Sequence, residues 1–146
     1  MSQQALKSAK TLFEAYKGAL ATLQKDIGAP FLQALSLIQN SAGHVVVSGM
    51  GKSGIIGRKI AATLASTGTP SLFLHPAEAI HGDLGMVRQG DVVLAISNSG
   101  DTEEIIRLLP AFERLQTHLI AMTGSPHSSL AQHAEVVLNI AVDREA

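Results

Sequence analysis

The chain has 146 residues, a formal net charge of −1, 46% apolar residues and no cysteine. This balance argues against general electrostatic binding to nucleic acid or to an anionic membrane, and the longest apolar run is far shorter than the ~20 residues that cross a bilayer. Without cysteine there are no disulfides, and without a visible secretory signal we expect a cytoplasmic chain that folds as one domain, residues 1–146.

The first 43 residues predict a helical extension. Apolar residues recur in steps of three and four between Leu6 and Leu23, which places a narrow apolar seam on the first helix. Residues 28–30 end that pattern, and a second helix starts at residue 31 and stops within residues 40–43. Such a seam packs either on the chain's own domain or on a partner subunit. We favour the subunit contact, in a homodimer or homotetramer.

From His44 onward, short apolar strands alternate with helical patterns. The strands are predicted at residues 45–47, 71–74, 91–96, 118–122 and 135–140, and the helices at residues 53–67, 101–115 and 128–133. Alternation of this kind is typical of an α/β sandwich with a parallel sheet. We therefore predict a three-layer α/β sandwich around a five-stranded parallel sheet.

A hydroxyl-rich turn follows the third strand, with the sequence SNSGDTEE at residues 97–104. Hydroxyls and unpaired backbone N–H groups at a helix start can surround a phosphate monoester, so the turn predicts a phosphate site. Asp101 and Glu104 also match a D-x-x-E capping arrangement. The serines and threonine are therefore about equally well explained as simple helix caps.

A glycine turn follows the first strand and resembles two nucleotide-binding motifs only superficially. Gly49, Gly51 and Gly54 match G-x-G-x-x-G, but the chain has His75 where a dinucleotide fold needs an acidic residue. A Walker A loop fails as well, since it requires glycine in place of Val46. What remains is a turn that brings Lys52 and Ser53 to the same sheet edge as Ser97, where one small anionic ligand would fit.

Four ordered motifs resemble the sugar isomerase (SIS) domain of D-arabinose 5-phosphate isomerases. They are VVVSGMGKSG at residues 45–54, HPAEA at residues 75–79, HGDLG at residues 81–85 and SNSG at residues 97–100. The resemblance implies a flavodoxin-like fold and a sugar-phosphate ligand. It implies candidate binding residues in three segments, namely Gly51, Ser53, His75, Ser97, Asn98, Ser99 and Thr102.

The implied reaction interconverts D-ribulose 5-phosphate and D-arabinose 5-phosphate through an enediol, which supplies octulosonate for bacterial surface polysaccharides. A base must move a proton between C1 and C2, and the resemblance points to Glu104 or Glu145. Lys52 or His81 would polarise an oxygen or help to open the sugar ring. The chemistry requires no cofactor, and His75, His81 and Asp83 lack a metal-ligand spacing, so we predict no metal.

Each of these catalytic candidates also has a plain structural role. Glu104 could be an ordinary residue of a helix start, Lys52 a solvated charge, and His81 a hydrogen-bonded loop residue.

The family continues beyond residues 144–146 into a further helix and another functional histidine, and usually carries a paired cystathionine-β-synthase-type regulatory module. Both are absent from this sequence, so we expect a truncated domain that binds a sugar phosphate better than it turns one over. Two alternatives stay open. One is a phosphosugar-sensing domain without catalysis, and the other is an isomerase of a hexulose or heptulose phosphate, because the motifs do not reveal substrate length.

Overall fold

The computed structural model describes residues 2–142, which form thirteen elements. The strands are β1 (Val45–Gly49), β2 (Ser71–Leu74), β3 (Val92–Ile96), β4 (His118–Thr123) and β5 (Val136–Asn139). The helices are α1 (Ser2–Asp26), α2 (Ala29–Asn40), α3 (Gly51–Ser66), α4 (Pro76–Ile80), α5 (Glu103–Ile106), α6 (Leu109–Arg114) and α7 (Ser129–His133). A 3₁₀ helix covers Asp83–Met86.

The five strands form one parallel sheet in the order β2-β1-β3-β4-β5. The predicted five-stranded parallel sheet is therefore confirmed, and its strand order is the flavodoxin-like one. The β1 and β3 strands lie in the middle and are buried along their whole length. Most of their residues are valine, leucine, isoleucine or alanine, because both faces of these strands pack against helices.

Alternate residues of each strand face two separate cores. On one face, Val46, Val93 and Ala121 pack against helices α4 to α7, and on the other face Val47, Leu94 and Ile120 pack against α2 and α3. Two helical layers thus enclose the sheet, which confirms the predicted three-layer sandwich.

The prediction of a single helix after β3 is wrong. The segment folds as two short helices, α5 and α6, with a turn between them at Arg107 and Leu108. Pro110 lies in the first turn of α6, where its missing N–H costs nothing, but it could not continue a helix that began at Glu103. Helix α4 and the 3₁₀ helix, which the sequence did not predict, lie in the connection between β2 and β3.

The apolar seam of α1 is exposed to solvent within the described chain. Leu6, Phe13 and Leu20 are 62%, 68% and 64% exposed, and the end of α1 is tied to β5 by a hydrogen bond from Asn139 to Asp26. Although α1 is long, neither it nor any other helix of residues 2–142 is both long and apolar enough to span a bilayer.

Candidate functional site

The chain leaves the sheet in opposite directions after β1 and β3. Helix α3 follows β1 onto one face, and α5 follows β3 onto the other. Gly49 pairs with Ile96, and Ser48 pairs with Leu74, so the segments after β1, β2 and β3 leave the sheet side by side. The structure thereby brings Gly51, Lys52, Ser53, His75 and the loop of residues 97–102 to one edge, at the place where open α/β sheets bind ligands.

Glycines at the start of α3 allow this helix to pack closely on β1. A Cβ at Gly54 would lie 2.6 Å from the carbonyl oxygen of Gly49, and Gly51 has a φ of 53°. Close packing therefore explains the G-x-G-x-x-G spacing without a dinucleotide. Helix α3 begins at Gly51, directly after β1, so its amino-terminal end lies at this same edge of the sheet.

The hydroxyls of the 97–102 loop are arranged in two groups. The Ser97 side chain is buried, and its Oγ accepts a hydrogen bond from the N–H of Gly100 at 3.0 Å and lies 2.7 Å from Oγ1 of Thr102. Ser99 and Asn98 are exposed, and Oγ of Ser99 accepts from the N–H of Asp101 at 3.3 Å. Ser97 thus shapes the loop from within, whereas Ser99 lies on its outer side.

The predicted D-x-x-E cap is wrong, because Asp101 bonds elsewhere. Its Oδ1 accepts a hydrogen bond from the N–H of Ser129 at 3.0 Å, and Thr102 occupies the N-cap position of α5 without a side-chain cap. Hydrogen bonds from the Ser129 side chain and backbone hold the pKa of Asp101 below its ordinary value. This contact joins positions 28 residues apart, and no local pattern in the sequence signals it.

Two histidines flank α4. His75 is its N-cap residue, directly after β2, and its Nδ1 is buried without a hydrogen-bond partner among the residues that the structure describes. His81 follows the last residue of α4 and is exposed. Because buried polar atoms are nearly always hydrogen-bonded, Nδ1 of His75 marks a position that a ligand or a water molecule would complete.

The catalytic candidates belong to helices on opposite faces of the sheet. Lys52 is exposed at the start of α3, whereas the half-buried Glu104 belongs to α5, which contacts α4 on the opposite face of the sheet. Glu145 lies outside the described residues. Within residues 2–142, no three His, Asp or Glu side chains converge in a way that could hold a metal ion.

Comparison with known proteins identifies the family. A profile of the SIS domain matches residues 38–146. The chain belongs to the SIS domain family. This finding confirms the resemblance that the four motifs predict.

The related proteins and structures agree with this assignment. The chain is 55% identical over 141 residues to the arabinose 5-phosphate isomerase KdsD of Pseudomonas aeruginosa, covering 97% of this chain and 43% of that protein. The structure of Escherichia coli CFT073 c3406 in complex with A5P has a TM-score of 0.81 and 45% identity over 95% of this chain and 76% of that chain. A Listeria monocytogenes structure has a TM-score of 0.94 and 27% identity over 99% of this chain and 76% of that chain.

Proposed function

We propose that this SIS domain interconverts D-arabinose 5-phosphate and D-ribulose 5-phosphate. The observation that carries the proposal is the 55% identity to the Pseudomonas aeruginosa arabinose 5-phosphate isomerase over 97% of the chain. The chain spans 43% of that relative's length. The arrangement of the three loops at the sheet edge supports the binding part of the proposal, because it suits a small anionic ligand.

The phosphate of the ligand is assigned to the loop of residues 97–102. Ser99 and Thr102 supply hydroxyl donors, and Asn98 is exposed beside them. Helix α5 is only one turn long, so its dipole is small and the hydroxyls and loop amides must provide most of the binding. The start of α3, with Gly51 and Ser53, faces the same ligand from the neighbouring strand.

Proton transfer at C1 and C2 of the open-chain sugar is assigned to a glutamate. Glu104 removes the C2 proton of arabinose 5-phosphate, the hydroxyl proton moves from O2 to O1, and return of the proton to C1 gives ribulose 5-phosphate. Glu104 lies two residues after Thr102, so a base at this position is close to a sugar whose phosphate the loop holds. Glu145 remains the second candidate for this base.

The oxygens that become charged during the reaction need a donor. Lys52 is placed to stabilise the enediolate from the α3 side, and His81 can assist ring opening from the α4 side. The unpartnered Nδ1 of His75 lies at the same edge and is assigned to a sugar hydroxyl. These roles use side chains alone and require no cofactor.

A phosphosugar sensor on the same fold would bind the ligand without converting it. The high identity to a protein named as an isomerase, over nearly the whole chain, supports catalysis over sensing. The two functions differ in one observable, which is whether the bound sugar phosphate changes.

The test follows arabinose 5-phosphate by ¹H and ³¹P NMR after addition of the protein. The proposal predicts signals of ribulose 5-phosphate, and a strongly reduced rate for Glu104→Gln, which keeps the shape of the side chain but not its basicity. The same NMR experiment is repeated with six-carbon and seven-carbon sugar phosphates. Conversion of one of these in place of arabinose 5-phosphate would replace the proposed substrate, and binding without any conversion would favour the sensor.

A further inference from the structure

The loop that we assign to the phosphate is fastened to helix α7, which follows the neighbouring strand β4. The N–H of Ser129 donates to Oδ1 of Asp101 at 3.0 Å, and the N–H of Leu130 donates to the carbonyl oxygen of Gly100 at 3.0 Å. The next N–H, of Ala131, donates to Oγ of Ser128, the N-cap of α7. The first three N–H groups of α7 are therefore all paired, and the phosphate loop supplies two of the three acceptors.

Helix α7 is a firm support for the loop. Leu130 is completely buried in the core on this face of the sheet, and Ala131 beside it is buried as well. The loop also approaches α7 too closely for any side chain at Gly100, where a Cβ would lie 1.9 Å from Oγ of Ser128. Gly100 has a φ of 71°, a conformation that glycine adopts without strain.

A carboxylate at Asp101 is unexpected if the loop only binds an anion. A negative charge next to a bound phosphate opposes binding through Coulomb repulsion, so electrostatics alone would favour a neutral residue at this position. The hydrogen bonds from Ser129 keep the pKa of Asp101 below its ordinary value, so the group is charged at neutral pH. The benefit of Asp101 must therefore lie in the contact with α7.

We propose that Asp101 is a positioning residue of the phosphate site, which anchors the loop of residues 97–102 to α7 so that Ser99 and Thr102 present their hydroxyls to the ligand. The inference rests on the proposed function insofar as the ligand is a sugar phosphate. Asp101 itself does not touch the ligand. Its carboxylate acts through the backbone of Gly100 and Thr102 on either side of it.

The test measures the affinity for arabinose 5-phosphate by titration calorimetry in the wild type and in Asp101→Ala, Asp101→Asn and Glu103→Ala. Asp101→Ala should weaken binding about five- to tenfold, because a displaced hydroxyl loses a hydrogen bond to a charged group. Asp101→Asn should stay within about twofold of the wild type, since its amide oxygen still accepts from Ser129.

Glu103→Ala is the matched control for the loss of one negative charge. Glu103 is an exposed neighbour whose carboxylate pairs with Arg107, outside the site. Its removal should leave affinity unchanged or slightly raise it. If Asp101→Ala binds as tightly as the wild type, or more tightly, the carboxylate is only an unfavourable charge and the proposal is overturned.

The contact can also be broken from the side of α7 with Asp101 intact. Ser129 is the first residue of α7, a position that proline favours, and the extended Ser128 before it suits a following proline. Ser129→Pro removes the donor N–H and should weaken binding as Asp101→Ala does. Combining the two changes should weaken binding no further than either alone, because both remove the same contact. If the losses in binding free energy of the two single variants added up fully in the double variant, the proposed contact would be contradicted.

A measurement without ligand separates this inference from the proposed function. If the wild type binds no arabinose 5-phosphate, the proposed function fails, and amide hydrogen exchange then tests Asp101. Asp101→Ala should speed exchange of the Leu130 amide, which donates to Gly100, while amides of β1 and β3 keep their protection. Unchanged exchange at Leu130 would show that Asp101 does not hold the loop.

Discussion

The hydroxyl groups of the 97–102 loop have different roles although they are close in sequence. The buried Ser97 hydroxyl already bonds to Gly100 and Thr102, so it fixes the shape of the loop. Ser99 is exposed, and Thr102 is half-buried at the start of α5. We therefore expect affinity to depend directly on Ser99 and Thr102.

Ser99→Ala and Thr102→Val should each weaken sugar-phosphate binding by about 1–2 kcal/mol, the loss expected for one hydrogen bond to a charged group. Titration calorimetry with arabinose 5-phosphate measures this directly. Unchanged affinity in both variants would mean that the phosphate binds elsewhere.

Lys52 should act on the ligand and contribute little to folding. It is exposed in the first turn of α3, whose path is set by the glycines around it. Lys52→Ala should keep the melting temperature of the wild type and lose most of the isomerase activity. The control is Lys59→Ala on the same helix, where the ammonium group donates to Thr63, and this change should leave activity intact. Unfolding of the Lys52 variant would instead assign it a structural role.

At the level of elements, Asp91 ties together the starts of β1 and β3, at the edge of the sheet opposite the site. Its side chain is 1% exposed and accepts hydrogen bonds from the N–H groups of His44 and Arg88, both at 2.8 Å. Gly43 passes so close that a Cβ there would lie 2.3 Å from Oδ1 of Asp91. This carboxylate therefore holds together the segments that lead into the two central strands.

Asp91→Ala should lower the free energy of unfolding by about 2–4 kcal/mol, because the N–H groups of His44 and Arg88 both lose their acceptor. Urea denaturation followed by circular dichroism measures the effect, with Glu113→Ala on the exposed surface of α6 as the control. Ligand affinity of the folded Asp91 variant should match the wild type, since the site lies at the other edge. A decrease in the free energy of unfolding of less than about 0.5 kcal/mol is what ordinary surface substitutions cause. Such a result would show that Asp91 does not stabilise the starts of the two strands.

Local features of the fold were predictable from the sequence, whereas long-range contacts were not. The strands were predicted within one or two residues, and β2 without error, because short apolar runs bounded by polar segments are typical of buried strands. The break between α5 and α6 was missed although Pro110 signals it. The partner of Asp101 was not predictable, since Ser129 reaches it only after β4 has brought α7 alongside the loop.

For the molecule as a whole, the exposed seam of α1 is the feature that most needs a physical reason. The seam ends at Leu23. This residue also lines a groove of about 410 Å³, together with Ile27, Phe31, Met122 and Leu138. An apolar stripe of this length is unusual on the free surface of a monomer. We propose that it contacts a second copy of the chain, in a homodimer or homotetramer.

Leu20→Glu should shift the molar mass in light scattering toward that of the monomer, because a charge would be buried in the contact. The matched control is Gln4→Glu, which adds the same charge on the polar side of α1 and should leave the mass unchanged. A wild-type chain that is monomeric at micromolar concentration, with no effect of Leu20→Glu, would contradict a role of the seam in association.

Deuterium exchange at carbon tests most directly whether the chain makes an enediol from a bound sugar phosphate. Arabinose 5-phosphate is incubated in D₂O with the protein, at a concentration where calorimetry has established binding, and the C2 proton is followed by NMR. We expect deuterium to replace this proton faster than in the buffer control, together with formation of ribulose 5-phosphate. Saturated binding with a C2 proton that exchanges no faster than in buffer, and no ketose, would contradict it.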